Sequence, residues 1–388
     1  MDVPMGLCRA MQELRVEAND VTYTALMAGC ERSLEWAWVL ELLAEGRGQG
    51  LSLSSITCSS AVRACEKGQR WDWALQVFGQ MQLTRLELDL VAYSTVISAC
   101  EKGLQWEAAL HTLGEMRRLG LKPNAISYCA TLSACEKGHQ WERALSLFTE
   151  MQLSRLELDI IAYSAAVSAC EEGQHWEAAL ALLRGMRKQA LLPTAVTLNT
   201  AISACGRGGR LERALGLLGE MRETRLDPDV ITYSAIISAC EKAHQWELAL
   251  DVFLGMWRDD TEPNVVTYGA LISACEKGKQ WELALEALRQ MHDSAVKPND
   301  IAYSAAISAC EAGERWEHAL HLFEEMRAAA VVPGVRAYNA VVSACGKGLE
   351  LERAVELVRQ MEGDGLTPDV ITFNAVIGAC EKCQSWEG

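Results

Sequence analysis

Fifteen of the 388 residues are cysteine, the side chain in this chain most capable of chemistry. Eleven of them, Cys30, Cys65, Cys100, Cys135, Cys170, Cys205, Cys240, Cys275, Cys310, Cys345 and Cys380, stand 35 residues apart without one insertion. A thiol that reacts is placed once, whereas one slot filled repeatedly with cysteine is the pattern of a small apolar packing residue. Cys8, Cys58, Cys129 and Cys383 are left over, so a disulfide framework is not expected and a reducing compartment fits better. Cys380 and Cys383 form a lone CxxC, yet a structural zinc site needs four ligands and no second pair follows. His318 and His321, beside Glu324 and Glu325, read as a solvated helix face. Gly46, Gly48 and Gly50 lack the lysine of a phosphate-binding loop. With no nucleophile motif, carboxylate pair or HExxH, the sequence predicts no enzyme, no metal, no cofactor and no small-molecule substrate.

The 35-residue step governs the rest. The phrase SACEKGxQWExAL, or a close relative, recurs at 98–110, 133–145, 168–180, 238–250, 273–285 and 308–320. A fixed period of this size marks a stacked array of repeats. With Asp20 as slot one, ten complete units cover 20–369, preceded by a partial unit at 1–19 and followed by another at 370–388. Neither end resembles the atypical capping unit of a natural array, which predicts a piece of a longer protein. Within a unit such as 230–264, Ile231, Ala235, Ile236, Ala239 and Cys240 have helical spacing. A break at 242–245 follows, where other units place Gly103, Gly138, Gly278 or Gly348, a residue suited to a helix C-terminus. A second stripe runs through Trp246, Ala249, Leu250, Phe253 and Met256, and Pro263-Asn264 closes the unit, Asn being a good N-cap for the next. Each unit is therefore a helical hairpin that buries its stripes only by stacking on its neighbours. The expected fold is all-α, a right-handed superhelical solenoid of helix-turn-helix repeats, with the first helices lining one face.

Half the residues are hydrophobic, ample for such a core, and no apolar run reaches the roughly 18 residues of a membrane span. No membrane partner is expected. The net charge of −16 is a poor global balance for a polyanion, so nucleic-acid binding would need a local basic stripe. Trp36, Trp71, Trp106, Trp141, Trp176, Trp246, Trp281, Trp316 and Trp386 share slot seventeen, but Leu211 and Leu351 replace them in two units. That exchange argues for packing rather than base stacking.

The period, the opening V-[IV]-[TA]-Y-[SN], the Ala-Leu of the second helix, its Met and the closing P-[DN] resemble the pentatricopeptide repeat, in its pure 35-residue form, over essentially the whole chain. The resemblance implies sequence-selective binding of single-stranded RNA, about one base per repeat. It implies organellar RNA processing, stabilisation or translation in a mitochondrion or chloroplast, with other RNA-processing proteins as further partners. No transit peptide is visible in this chain. In the family the second slot packs on base faces. Here it holds Val21, Ile56, Val91, Ile126, Ile161, Val196, Ile231, Val266, Ile301 and Ile371, with Arg336 departing. A basic thirteenth slot lies near phosphate: Arg32, Lys67, Lys102, Lys137, Arg207, Lys242, Lys277, Lys347 and Lys382, with Glu172 and Ala312 departing. Slots two, five, nine and thirteen share a helical face. That allows a basic stripe, weakened if the neighbouring Glu of slot twelve (Glu66, Glu101, Glu136) points the same way.

The fifth and last slots of a family repeat meet the base edge. By analogy Ser59 with Asp89 implies guanine; Ser94 with Asn124 and Ser234 with Asn264, adenine; Asn199 with Asp229 and Asn339 with Asp369, uracil. Thr24/Ser54, Cys129/Asp159, Ser164/Thr194, Gly269/Asn299 and Ser304/Gly334 fit no common pair, and Asn374 is the fifth slot of the last, partial unit. The implied target is xGAxxUAxxU. Asp or Asn in the last slot is also what a helix N-cap requires, so both roles stay open. Two other readings remain: a protein-interaction scaffold for a basic partner, favoured if the face of slots two, five and thirteen is acidic, and the RNA-binding part of a longer processing enzyme.

Overall fold

In the computed structural model, residues 20–32, 36–48, 54–84, 86 and 88–383 are described; the side chains of 31, 32, 47, 382 and 383 fall outside that description. The partial unit 1–19, Cys8, Gly50 and Trp386 lie outside the described residues, as does the side chain of Cys383. The described chain is helical hairpins throughout. They begin with Asp20–Arg32 and Trp36–Gly48 and repeat in register, for example Val230–Lys242 with Trp246–Arg258, to Val335–Lys347 with Leu351–Gly363; Val370–Cys383 follows as the first helix of the next repeat. Ten hairpins lie within 20–369 among the described residues. The chain divides into two compact units, Met1–Pro193 and Thr194–Gly388. Within each, first helices pack side by side, and each second helix packs on the first helix of its own repeat and of the next.

Why these residues stack is plain from the slots they occupy. Tyr93, Tyr163, Tyr233, Tyr268, Tyr303 and Tyr338 in slot four are fully buried, as are Met81, Met116, Met151 and their equivalents in slot twenty-seven. The repeat cysteines from Cys30 to Cys345 are buried free thiols, and Cys380 is a half-buried one. Burial pushes Cys65 up to about 11 and Cys100 up to about 12, as expected of apolar packing residues rather than nucleophiles.

The turn between the two helices departs from the sequence expectation. Glycine in slot fourteen is the C-cap residue, but its backbone is right-handed: φ is −79° at Gly68 and −85° at Gly103. The left-handed position is slot fifteen, where Gln69, Leu104, His139 and Gln174 sit at φ between 56° and 58°. There a backbone N–H one residue on, such as that of Arg70, closes the helix by donating to the Cys65 carbonyl at 2.9 Å. Slot fourteen is glycine for a different reason. The tryptophan of the preceding repeat lies directly on it: a Cβ on Gly103 would stand 2.2 Å from Cδ1 of Trp71, and one on Gly278 would stand 2.4 Å from Cδ1 of Trp246. Where the tryptophan is Leu211, the next slot fourteen is Ala243, and where it is Leu351 the next is Cys383.

This interlock predicts a non-additive pair. Gly103→Ala should destabilise the repeats around it by about 1–3 kcal/mol through overpacking. Trp71→Leu should relieve most of that penalty, leaving the double variant close to Trp71→Leu alone. Amide exchange over 90–118 measures it, and strictly additive effects would remove the interlock as the cause.

Candidate nucleic-acid interface

The first helix of each repeat begins at a side-chain cap supplied by slot thirty-five of the repeat before. Asp89 accepts from the N–H of Ala92 at 2.8 Å, Asn124 from Ser127 at 2.9 Å, Asp159 from Ala162 at 2.8 Å and Asp229 from Thr232 at 2.9 Å. Ser54, Thr194, Asn264 and Asn299 cap in the same way, whereas Gly334 has no side chain to do so. Once the cap is fixed, slot five of the earlier repeat is brought to it. Asn199 Nδ2 donates to Asp229 Oδ1 at 3.0 Å and Asn339 Nδ2 to Asp369 Oδ1 at 3.1 Å, with Cys129 Sγ placed 3.7 Å from Asp159 Oδ1. Slot three of the following repeat completes the knot: the hydroxyl of Thr232 donates to Asn199 Oδ1 at 2.5 Å, and the hydroxyls of Ser234 and Thr267 are hydrogen-bonded at 2.8 Å. Ser94 meets Ser127, and Thr24 meets Thr57, in the same manner. The fifth and last slots therefore touch at Asn199/Asp229, Asn339/Asp369 and Cys129/Asp159, and at Asp229 and Asp369 capping and pairing coexist in one residue.

Not every predicted pair is assembled. Gly269 and Gly334 bring no polar side chain. Ser304 is buried and directs its hydroxyl to Asp300 Oδ1 at 3.2 Å, and the N–H of Gly334 donates to that same oxygen at 3.2 Å. Ser59 is half-buried and Asn374 exposed.

Slot two is the anomaly of the surface. Val21, Ile56, Val91, Ile126, Ile161, Val196, Ile231, Val266, Ile301 and Ile371 are between 52% and 73% exposed. Single exposed aliphatics need no explanation, but here one is set out in the same slot of nearly every repeat. In the second unit the slots converge visibly. Ile231, Val266, Ser234, Asn264, Arg207 and Lys242 line one open cavity of about 390 Å³, with Ser203 and Ser238 of slot nine in its wall.

The expected basic stripe takes a different form. Slot thirteen is exposed, but much of its charge is matched by slot twelve of the repeat before, 36 residues back. Lys102 Nζ lies 3.0 Å from Glu66, and Lys137, Lys277 and Lys347 lie 3.1 Å from Glu101, Glu241 and Glu311. The carboxylates do point the same way as the lysines, and the face carries a ladder of ion pairs. Where slot thirteen is Glu172, its partner Glu136 has its carboxyl raised by burial and by the Glu172 charge, and His139 pairs with Glu172 at 2.8 Å. Where slot thirteen is Ala312, Arg336 from slot two bridges to Glu276 instead, at 2.7 Å and 2.9 Å. The side chains of Arg32 and Lys382 lie outside the described set. Among the described residues no three or more His, Cys, Asp or Glu side chains are grouped to hold a metal, and no helix is long and apolar enough to cross a membrane.

Family models of the pentatricopeptide repeat match along the chain. The pentacotripeptide-repeat region of PRORP matches 232–386, the PPR repeat family 88–137 and 193–242, the pentatricopeptide repeat domain 146–210 and the PPR repeat 126–156. Together they run from 88 to 386. No curated protein matches the chain. Among solved structures, the pentatricopeptide repeat protein PPR10 in complex with an 18-nt psaJ RNA element is similar over 99% of this chain, with a TM-score of 0.73 at 21% identity. The same protein from maize, in the structure described without RNA, is similar over 97% of this chain, with a TM-score of 0.54 at 18% identity. This chain spans 56% and 63% of those two chains, and the likeness establishes the fold.

The cap network predicts an acid-sensitive helix start. The N–H of Thr372, with help from its hydroxyl and from Asn339, holds the Asp369 carboxyl below its usual range. A lowered pKa stabilises the folded state above the unfolded value of about 3.8–3.9 and is lost as pH falls through the folded one. Protection of the Val370–Cys383 amides, measured against their intrinsic exchange rates, should fall below about pH 4, and Asp369→Ala should lower that protection at neutral pH.

Proposed function

The chain belongs to the pentatricopeptide repeat family, and on that premise we propose that it binds single-stranded RNA along the face of its first helices, about one nucleotide per repeat. The observation that carries this reading is the row of exposed aliphatics in slot two. Each gap between neighbouring slot-two side chains takes one base. The slot-five and slot-thirty-five side chains beside it, such as Ser234 with Asn264, offer donors and acceptors to the Watson–Crick edge, and slot thirteen lies along the sugar-phosphate side. Selectivity then follows the readable pairs, xGAxxUAxxU, in chain order. The role is to occupy a transcript segment within organellar RNA processing, stabilisation or translation. It is a binding role, with any catalysis left to partners or to other domains.

Thr24/Ser54, Ser164/Thr194 and Cys129/Asp159 contribute contact with weaker discrimination in this reading, and Gly269/Asn299 and Ser304/Gly334 contribute least. The ion-pair ladder and the net charge of −16 favour one other reading, a scaffold for a basic protein.

Binding of the purified chain to a ten-nucleotide RNA of that pattern, against a scrambled one and a basic peptide, separates the two. Selective RNA binding should appear, and Ile126→Ser and Ile231→Ser should each weaken it about fivefold, the value of a partly buried aliphatic. Binding of both RNAs alike would sink the pair assignments. Capture of the peptide with no RNA binding would leave the scaffold.

A further inference from the structure

In the second unit the ladder lacks a lysine where Ala312 follows Glu276 and lacks a carboxylate at Gly206 and at Gly346, the latter standing before Lys382, whose side chain lies outside the described set. Slot twelve of the repeat 195–229 is Gly206, so the lysine 36 residues on, Lys242, meets no carboxylate there. Among the described residues Lys242 has no ion-pair partner, in contrast with Lys102, Lys137, Lys277 and Lys347. Lys242 and Arg207 both face the cavity formed by Ile231, Val266, Ser234 and Asn264. That cavity is where the stacking slots, the edge-reading slots and two cations meet.

We propose that Lys242 is the principal phosphate-binding residue of the second unit, and that the slot-twelve glutamates are built-in competitors that blunt the other slot-thirteen lysines. The inference rests on the single-stranded RNA reading above. A lysine already held at about 3 Å by a carboxylate offers the strand a near-neutral pair. A phosphate gains from it only by displacing the carboxylate, which then stands unpaired beside the incoming anion. The same lysine also holds fewer counterion-linked sites to exchange with RNA. Lys242 escapes both costs. Nucleotide affinity is therefore unequal along the face, and the strand is set in register from the repeat 230–264.

The arrangement explains Arg336 as well. Guanidinium in slot two could stack on a base or take a phosphate, yet Glu276 holds it in a two-oxygen contact across the intervening repeat. Glu276 is the carboxylate that Ala312 leaves without a ladder lysine, and Arg336 fills the vacancy.

The test compares five variants of the full chain on the ten-nucleotide RNA across a salt series. Lys242→Gln should weaken binding about tenfold near 0.1 M salt and flatten the log–log salt slope by about 0.7. Lys102→Gln and Lys277→Gln should each cost less than about threefold, because each removes half of an ion pair. Gly206→Glu rebuilds the missing rung and should approach the loss seen with Lys242→Gln. Gly206→Gln has the same shape without the charge and should stay near wild type, which controls for the Cβ that would press on Ala239 at 3.0 Å. Equal losses at all three lysines, or equal behaviour of Gly206→Glu and Gly206→Gln, would overturn the anchor while leaving RNA binding intact. A wild-type chain that binds no RNA would overturn both.

Discussion

A helical hairpin of this size cannot bury its own apolar stripes, and every other property of the chain follows from how one hairpin is fixed on the next. The contact that fixes it is the tryptophan of slot seventeen lying on the glycine of the following repeat. The indole occupies the volume a side chain would take at Gly68, Gly103, Gly138, Gly278, Gly313 and Gly348. Such a fit has one solution in register, because sliding the hairpin by a residue would set the ring against a Cβ. Arginines add to it from the far side: Arg70 lies 4.5 Å over the Trp36 ring and Arg143 lies 4.6 Å over that of Trp106. Identical stacking at each step places equivalent slots at equivalent distances along a unit. A regular row of exposed Val and Ile side chains is a consequence of that interlock.

The fold was legible because period, cap and breaker signals agree. Asp, Asn, Ser or Thr stands before nearly every first helix, and burial follows the tyrosine, cysteine and methionine slots. The glycine of slot fourteen was placed correctly but for the wrong reason. Sequence reasoning looks for glycine where φ is positive, yet here the positive φ falls on Gln69, Leu104 and His139, and the glycine makes room for a ring 32 residues earlier. A signal for this existed within the chain itself, in the paired exchange of Trp and Gly for Leu211 with Ala243 and Leu351 with Cys383. Such exchanges stand out only when slots of different repeats are compared, not when one repeat is read alone.

The candidate site was legible to the same depth and no further. Slot positions followed from helical spacing, and slots two, five, nine, thirteen and thirty-five do converge around Ile231 and Asn264. The charge of the face was not legible, because it depends on which side chain each lysine reaches. Lys102 reaches Glu66 and not its neighbour Glu101. Arg336 reaches Glu276, 60 residues away. Nothing in the spacing of one repeat distinguishes a cation open to solvent from one spent within the array.

Folding and the proposed recognition are joined most tightly in slot thirty-five. A first helix leaves its leading N–H groups without partners, and the residue before it must supply an acceptor. That requirement admits Asp, Asn, Ser and Thr, a set whose members differ in just the donor and acceptor pattern that separates one base edge from another. The cap is accordingly held by the backbone it serves, and at Asp229 the same oxygen, Oδ1, accepts from both the helix and slot five. Asp229 accepts from the Thr232 N–H at 2.9 Å while accepting from the Asn199 amide at 3.0 Å. Gly334 shows the cap missing: without a side chain it cannot serve the helix that follows, while its own N–H donates to Asp300 and the Ser304 hydroxyl goes to the same carboxylate. A position that must cap in order to fold is one whose chemistry is always presented in the same place, and a surface able to tell bases apart needs its polar atoms held in this way.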